Sequence, residues 1–293
     1  MMQRTILATA AAAALLAACG DKAPDTASAD STAAAAAAPA APATPVVYTI
    51  TAKDFAYDAP DTITAGMVTL HLVNSGPSIH HIQLLKLDDG HTVAELEAGL
   101  KQMKPGSPPP PWMHEVAGPN TPMPGGEQSL TQELAAGNYA IICFIPGPDH
   151  VPHAMKGMVR ALTVVPASGP SAPAPVADIT VSMSDYAWDV SPAITAGKHI
   201  IKIENTATQA HEMLIAQLPP GKTPADLLKW VDNQVGPPPA KPMGGISGML
   251  TGQTVYLPVD LEPGEYALMC FLPDSKDGKP HAVHGMMKQV TVK

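Results

Sequence analysis

From residue 46 onward, short apolar runs alternate with polar breaks marked by Pro and Gly. Residues 46–51, 67–74, 81–87, 128–134, 139–143 and 158–165 alternate or run apolar with β-branched side chains, the pattern of half-buried strands. One segment departs from it. Over 92–103, Val93, Leu96 and Leu100 fall at helical spacing behind Thr92, a suitable N-cap. The same succession returns in the second half, where Leu227, Trp230 and Val231 predict a helix over 223–234. Pro-rich loops at 105–124 and 237–242 follow the two helices. The pattern predicts an all-β fold, each half a Greek-key β-sandwich of short strands with one helical insertion.

The two halves repeat each other residue by residue. Asp54, Phe55, Ala56, Tyr57 and Asp58 meet Asp185, Tyr186, Ala187, Trp188 and Asp189 at an offset of 131 (Asp54 to Asp185). The offset falls to 127 at Cys143 and Cys270 and is 128 at His153 and His281, so small deletions separate the copies. A unit of this length is far longer than a solenoid repeat, and each copy is expected to be a domain with its own core. The expected domains are 46–166 and 177–293, joined by a Pro/Ala/Ser linker at 167–176.

What precedes residue 46 has a different composition. Arg4 and the Ala-rich apolar stretch 6–16 form a leader too short to span a bilayer. It closes on Leu16, Ala17, Ala18, Cys19 and Gly20, which resembles the lipobox of bacterial lipoproteins. That resemblance implies a signal peptide over 1–18, acylation of Cys19 and a lipid anchor in the membrane. With Gly rather than Asp after Cys19, it further implies the outer membrane of a Gram-negative envelope. Residues 19–45 are Ala, Pro, Ser, Thr and Asp with almost nothing to bury, so a solvated tether is expected.

The chemistry sits where the repeat is most exact. An apolar strand ends in Cys143, and a turn-rich loop then delivers His153 and, five residues on, Met158. The second copy has Cys270, His281 and Met286 in the same order. Upstream, Asn74 precedes His80 by six residues, as Asn205 precedes His211. Two imidazoles, a thiolate and a thioether form a soft donor set suited to copper. Read singly, Cys143 and Cys270 are also compatible with structural thiols or a disulfide, and His150 rivals His153 as a ligand. His81 and His284 do not recur and read as solvated or as neighbours of the ligands.

Together these motifs resemble those of cupredoxins, the blue copper proteins, over about 115 residues of each copy. The resemblance implies a type 1 copper bound by His80, Cys143, His153 and Met158, and a second by His211, Cys270, His281 and Met286. The separation of Cys from the downstream His is long for that family, and the helical insertion is unusual in it. The function implied is a lipid-anchored electron carrier facing the periplasm, with a redox or copper-exchange partner protein in the cell envelope. The alternative is a copper-storage, copper-delivery or scaffold lipoprotein that has lost one or both sites. Multicopper oxidases pair their ligands as His-x-His, a spacing this chain lacks, so no enzymatic activity is expected. A net charge of −9 without a basic stripe argues against nucleic acid as a partner.

Overall fold

The computed structural model describes residues 44–102 and 109–293. The expected signal peptide, Cys19 and nearly all of the tether lie outside the described residues. The first copy supplies β1 (Val46–Lys53), β2 (Ala56–Asp58), β3 (Thr62–Thr64), β4 (Gly66–Asn74), β5 (Gln83–Leu87), α1 (Val93–Leu100), β6 (Met113–Val116), β7 (Glu127–Leu134), β8 (Gly137–Ile142) and β9 (Val159–Val165). The second supplies β10 (Ile179–Ser184), β11 (Ala187–Ser191), β12 (Gly197–Asn205), β13 (His211–Leu218), α2 (Pro224–Asn233), β14 (Lys241–Met249), β15 (Thr254–Leu261), β16 (Gly264–Met269) and β17 (Met287–Val292). The chain is mostly β, and each copy places its one α-helix between the upstream His and the Cys.

Burial follows from the pleat. Along β4 every second side chain, from Val68 to Leu72, is buried, so one face of the strand meets the core. The strand before the thiol is buried on both faces, which is why it reads as a continuous apolar run. Tyr139, Ile141 and Cys143 pack into the core formed with Ile50, Leu70 and Leu72. Ala140 and Ile142 point the other way, to Leu96 of α1. In the second copy Ala267 and Met269 likewise meet Leu227 of α2. Each helix therefore caps the outer face of the sheet that carries the thiol, and a large side chain such as Leu96, buried there, contributes about 1.5–3 kcal/mol. Thr92 accepts from the Glu95 N–H to start α1, and Thr223 with Asp226 forms a capping box on α2.

The copies are joined through an eight-stranded sheet of order β11-β10-β12-β15-β7-β4-β1-β2. The junction, β7 against β15, is short: Gln132 opposite Val255 and Thr131 opposite Tyr256. The other faces are a five-stranded sheet, β3-β9-β8-β5-β6, and a four-stranded one, β14-β13-β16-β17. The core of the second copy also takes in Ala117 and Leu130 from the first, so it is not confined to its own repeat.

The Pro-rich loop expected at 237–242 is cut short by β14, whose sequence is rich in Gly. Gly245 explains the composition. A Cβ there would lie 2.0 Å from the Met213 carbonyl oxygen, and its φ of +128° disfavours any side chain. The glycine lets two backbones close up where β13 and β14 shift register.

Candidate metal centre

Each copy gathers its two imidazoles and its thiol into one buried cluster. His80, Cys143 and His153 present ligand atoms within 4.8 Å of one another, as do His211, Cys270 and His281. His80 Nδ1 lies 3.2 Å from His153 Nδ1, and Cys143 Sγ lies 3.6 Å from His153 Nδ1. In the second copy the two Nδ1 atoms are 2.9 Å apart, with Cys270 Sγ 3.3 Å from His281 and 3.9 Å from His211. All six residues are essentially inaccessible to solvent. Neither Cys is in a disulfide, and His150 is exposed and outside the cluster.

Four backbone devices set this geometry. Asn74 Nδ2 donates to the Ser78 and Pro122 carbonyls while its Oδ1 accepts from Gly76, which fixes the loop leading to His80. Asn205 does the same before His211, through Gln209, Met249 and Ala207. Downstream, the Ala154 N–H donates to the Cys143 carbonyl and the Met158 N–H to the His153 carbonyl. A single 3₁₀ turn, His153–Lys156, closes on Gly157 at φ +100° and folds Met158 back into the core. His281–His284 and Gly285 repeat it, leaving Met286 fully buried.

A surrounding shell orients the candidate ligands. Asp54 Oδ1 accepts from His80 Nε2 at 2.9 Å, and Asp185 Oδ1 from His211 Nε2 at 3.2 Å. With the proton held on Nε2, the Nδ1 lone pair is left facing the partner imidazole and the thiol, as a metal ligand requires. The next residue in each copy, Phe55 or Tyr186, sits at positive φ and lays its ring edge-on against the downstream His. Such a conformation costs about 1–3 kcal/mol for a bulky residue and is retained where a site needs it. Asp54 and Phe55 align with Asp185 and Tyr186 in the repeat, but nothing in the alignment alone places them at the site. Their recurrence within a short polar-aromatic string was the available signal.

Burial sets the protonation of these groups. Burial pushes the Cys143 thiol up to about 11 and raises the Cys270 thiol further. Burial, followed by the charge of the neighbouring imidazole, brings both His153 and His281 down to about 4. His80 and His211 are also lowered, again through burial. The imidazoles are therefore neutral donors at ordinary pH. An ion about 2.0–2.1 Å from imidazole nitrogen and about 2.3 Å from a thiolate needs donor separations of about 3.3–3.8 Å, tetrahedral to trigonal. The observed separations bracket that range. Two His, one Cys and a buried Met fit copper.

The two centres differ at their rims. Asp274, itself buried, places Oδ2 3.7 Å from His281 Nε2, a ring nitrogen with no hydrogen-bond partner. Tyr186 donates to the same carboxylate, which holds Asp274 well below the usual range. The equivalent position in the first copy is Gly147: its N–H is bonded to Val151 O as that of Asp274 is to Lys279 O. There the neighbouring charges are the Lys156–Asp149 pair, at 2.8 Å. A third group, Asp274, Asp277 and His284, lies on the rim of the second centre.

No protein-family model matches the chain, and no curated protein matches it. Solved structures do resemble it. Dithionite-reduced auracyanin from Roseiflexus castenholzii matches 42% of this chain and 99% of its own at 20% identity, with a TM-score of 0.29. The blue copper oxidase of Nitrosomonas europaea matches 85% of this chain and 86% of its own at 13% identity (TM-score 0.25). The copper-containing nitrite reductase of Thermus scotoductus matches 85% of this chain and 62% of its own at 10% identity (TM-score 0.23). The expectation that the chain is not an enzyme is withdrawn on this finding: an oxidase and a nitrite reductase stand among the structures it resembles. What carries the reading below is the pair of buried His, Cys, His clusters.

Proposed function

We propose that the chain is a cell-envelope copper protein that carries electrons through one type 1 site in each repeat. The first site is His80, Cys143, His153 and Met158, and the second is His211, Cys270, His281 and Met286. The observation that carries this reading is the duplicated convergence of two Nδ1 atoms and one Sγ, each set held in a dry, hydrogen-bonded frame. Copper would supply a reversible one-electron couple. The chain supplies rigidity: Asp54 and Asp185 fix the imidazoles, the zipped Cys–His–Met loops resist rearrangement, and burial excludes water. In this proposal 46–166 and 177–293 are Greek-key sandwich domains joined at 167–176. The acidic chain meets a redox partner protein in the envelope. Reductive titration of the copper-loaded protein should take up two electrons per chain, reversibly. Two bound coppers with no reversible reduction would favour copper storage or delivery instead.

Among the described residues no helix is long and apolar enough to cross a membrane. Membrane attachment is proposed through acylated Cys19, on the strength of the Leu16–Cys19 motif and the core-free segment behind it. Cys19→Ala should move the protein from the membrane to the soluble fraction or leave it unprocessed. Unchanged membrane association in that variant would rule out the anchor.

A further inference from the structure

His81 and Glu212 hold the same place in the two copies, directly after the upstream ligands His80 and His211. Each is tied to the thiol of its own copy in two ways. The Glu212 N–H donates to Cys270 Sγ at 3.4 Å, and the His81 N–H is directed at the Cys143 sulfur. The N–H of the residue after each Cys returns to the same side chain: Phe144 donates to His81 Nε2 at 2.9 Å, and Phe271 to Glu212 Oε1 at 2.8 Å. Up to this point the copies are alike although one residue is an imidazole and the other a carboxyl.

Asn120, also of the first copy, then bridges the two side chains across the seam. The Asn120 carboxamide lies against the His81 ring, and its Nδ2 reaches Glu212 Oε2 at 3.4 Å. Asn120 is itself fixed across the seam, with Nδ2 on the Ile246 carbonyl at 3.1 Å and Oδ1 accepting from Thr121. His81, Asn120 and Glu212 are 7%, 3% and 8% exposed. A buried polar group left unpaired costs about 1–3 kcal/mol, and well-packed apolar side chains often fill such a seam at least as stably. Stability alone therefore does not call for this line. Hydrogen bonds run from the Cys270 thiol through Glu212 to Asn120, whose carboxamide lies beside His81, the residue that Phe144 joins to the Cys143 end.

We infer that His81, Asn120 and Glu212 form an electron bridge between the two metal centres, so that the repeats work as one two-electron unit. The inference rests on the two-site reading above. With copper bound, the electron lost by one site on passing from Cu(I) to Cu(II) would be the electron gained by the other on passing from Cu(II) to Cu(I). No bond breaks, and a one-electron donor protein resupplies the chain. His81, Asn120 and Glu212 are positioning residues that couple the sites through the ligand-bearing loops.

The test uses the full copper-loaded chain carrying Met158→Leu, which gives the first site its own potential and spectrum. After a light-generated pulse of one-electron reductant, exchange between the sites appears as a phase whose rate is independent of protein concentration. Asn120→Leu should slow that phase several-fold while both sites keep their spectra and potentials. Glu212→Gln, which retains the acceptor for Phe271 and a polar atom for Asn120, should keep the phase near its parent rate. Should Asn120→Leu fail to fold, Asn120→Ala is read in the same way. An unchanged rate overturns the bridge, as does a coloured parent with no concentration-independent phase. A colourless parent protein would instead remove the two-site reading itself, and this is seen before any Asn120 variant is made.

Discussion

Cys143→Ser and Cys270→Ser should each leave a chain that binds one copper ion instead of two. In each centre the thiol lies with both imidazoles in one cluster whose ligand atoms are within 4.8 Å of one another. Serine puts a hard, protonated hydroxyl in its place, a poor match for copper. Loss of an outer-shell partner alone costs about 10–100-fold in metal affinity, and loss of the ligand itself should cost more. The fold should survive, because the substitution is small and each thiol sits at a strand end inside an otherwise intact core. Metal analysis after equilibrium loading should read two, one and one for the parent and the two variants. A parent that binds one ion, abolished by a single Cys substitution, would mean that one repeat is only a scaffold.

The second large effect is pH dependence. A metal must displace whatever protons its ligands hold. With the thiols raised and all four imidazoles lowered from their ordinary value of about 6.5, each site holds one displaceable proton between about pH 7 and 8, and affinity there should rise about tenfold per pH unit. Chelator competition at a series of pH values checks this: a slope of one in log affinity per pH unit supports the burial argument. A slope near three would mean that the imidazoles are also protonated in the apo protein.

The same shifts bear on folding. His153 and His281 have pKa values depressed below those of the unfolded chain, so the stability that depends on their being neutral is fully present above about pH 6.5. It is lost as pH falls through that value toward about 4. The apo protein should therefore denature in mild acid, and bound metal should delay this.

The gathering of His80, Cys143 and His153, and of their twins, was legible because these residues obey a spacing, and spacing survives in a one-dimensional string. Asn74 with His80, Cys143 with His153 and Met158, and their twins, could be found by aligning the chain with itself. The second copy also separated His153 from its rival His150. Asp54 and Asp185 stood in the aligned string, but their contact with an imidazole 26 residues away depends on how the β1–β2 turn packs. His81 and Glu212 were harder still. They differ between copies, so repetition concealed their shared role, and they meet only through Asn120 at a seam between repeats.

The longer strands followed the alternation of apolar residues, but β6 falls inside the Pro-rich loop expected at 105–124, and the short β2 and β3 carried too few apolar positions to read. β14 read as loop because Gly244 makes room for the Gln128 side chain and Gly245 for a close backbone approach. The joining of β7 to β15 rests on two residue pairs, and no periodicity announces it. Function was the least legible level. The absence of a His-x-His pair suggested that the chain is no enzyme, an expectation not upheld by the structures it resembles.

The central claim is that a thiolate binds the metal in both centres, and the visible absorption spectrum of the copper-loaded, oxidised full-length chain tests it most directly. The account predicts intense sulfur-to-Cu(II) charge-transfer absorption, with each single Cys→Ser variant keeping only the other site's share. A protein that holds two copper ions and stays colourless when oxidised, or whose spectrum neither Cys variant alters, would contradict it.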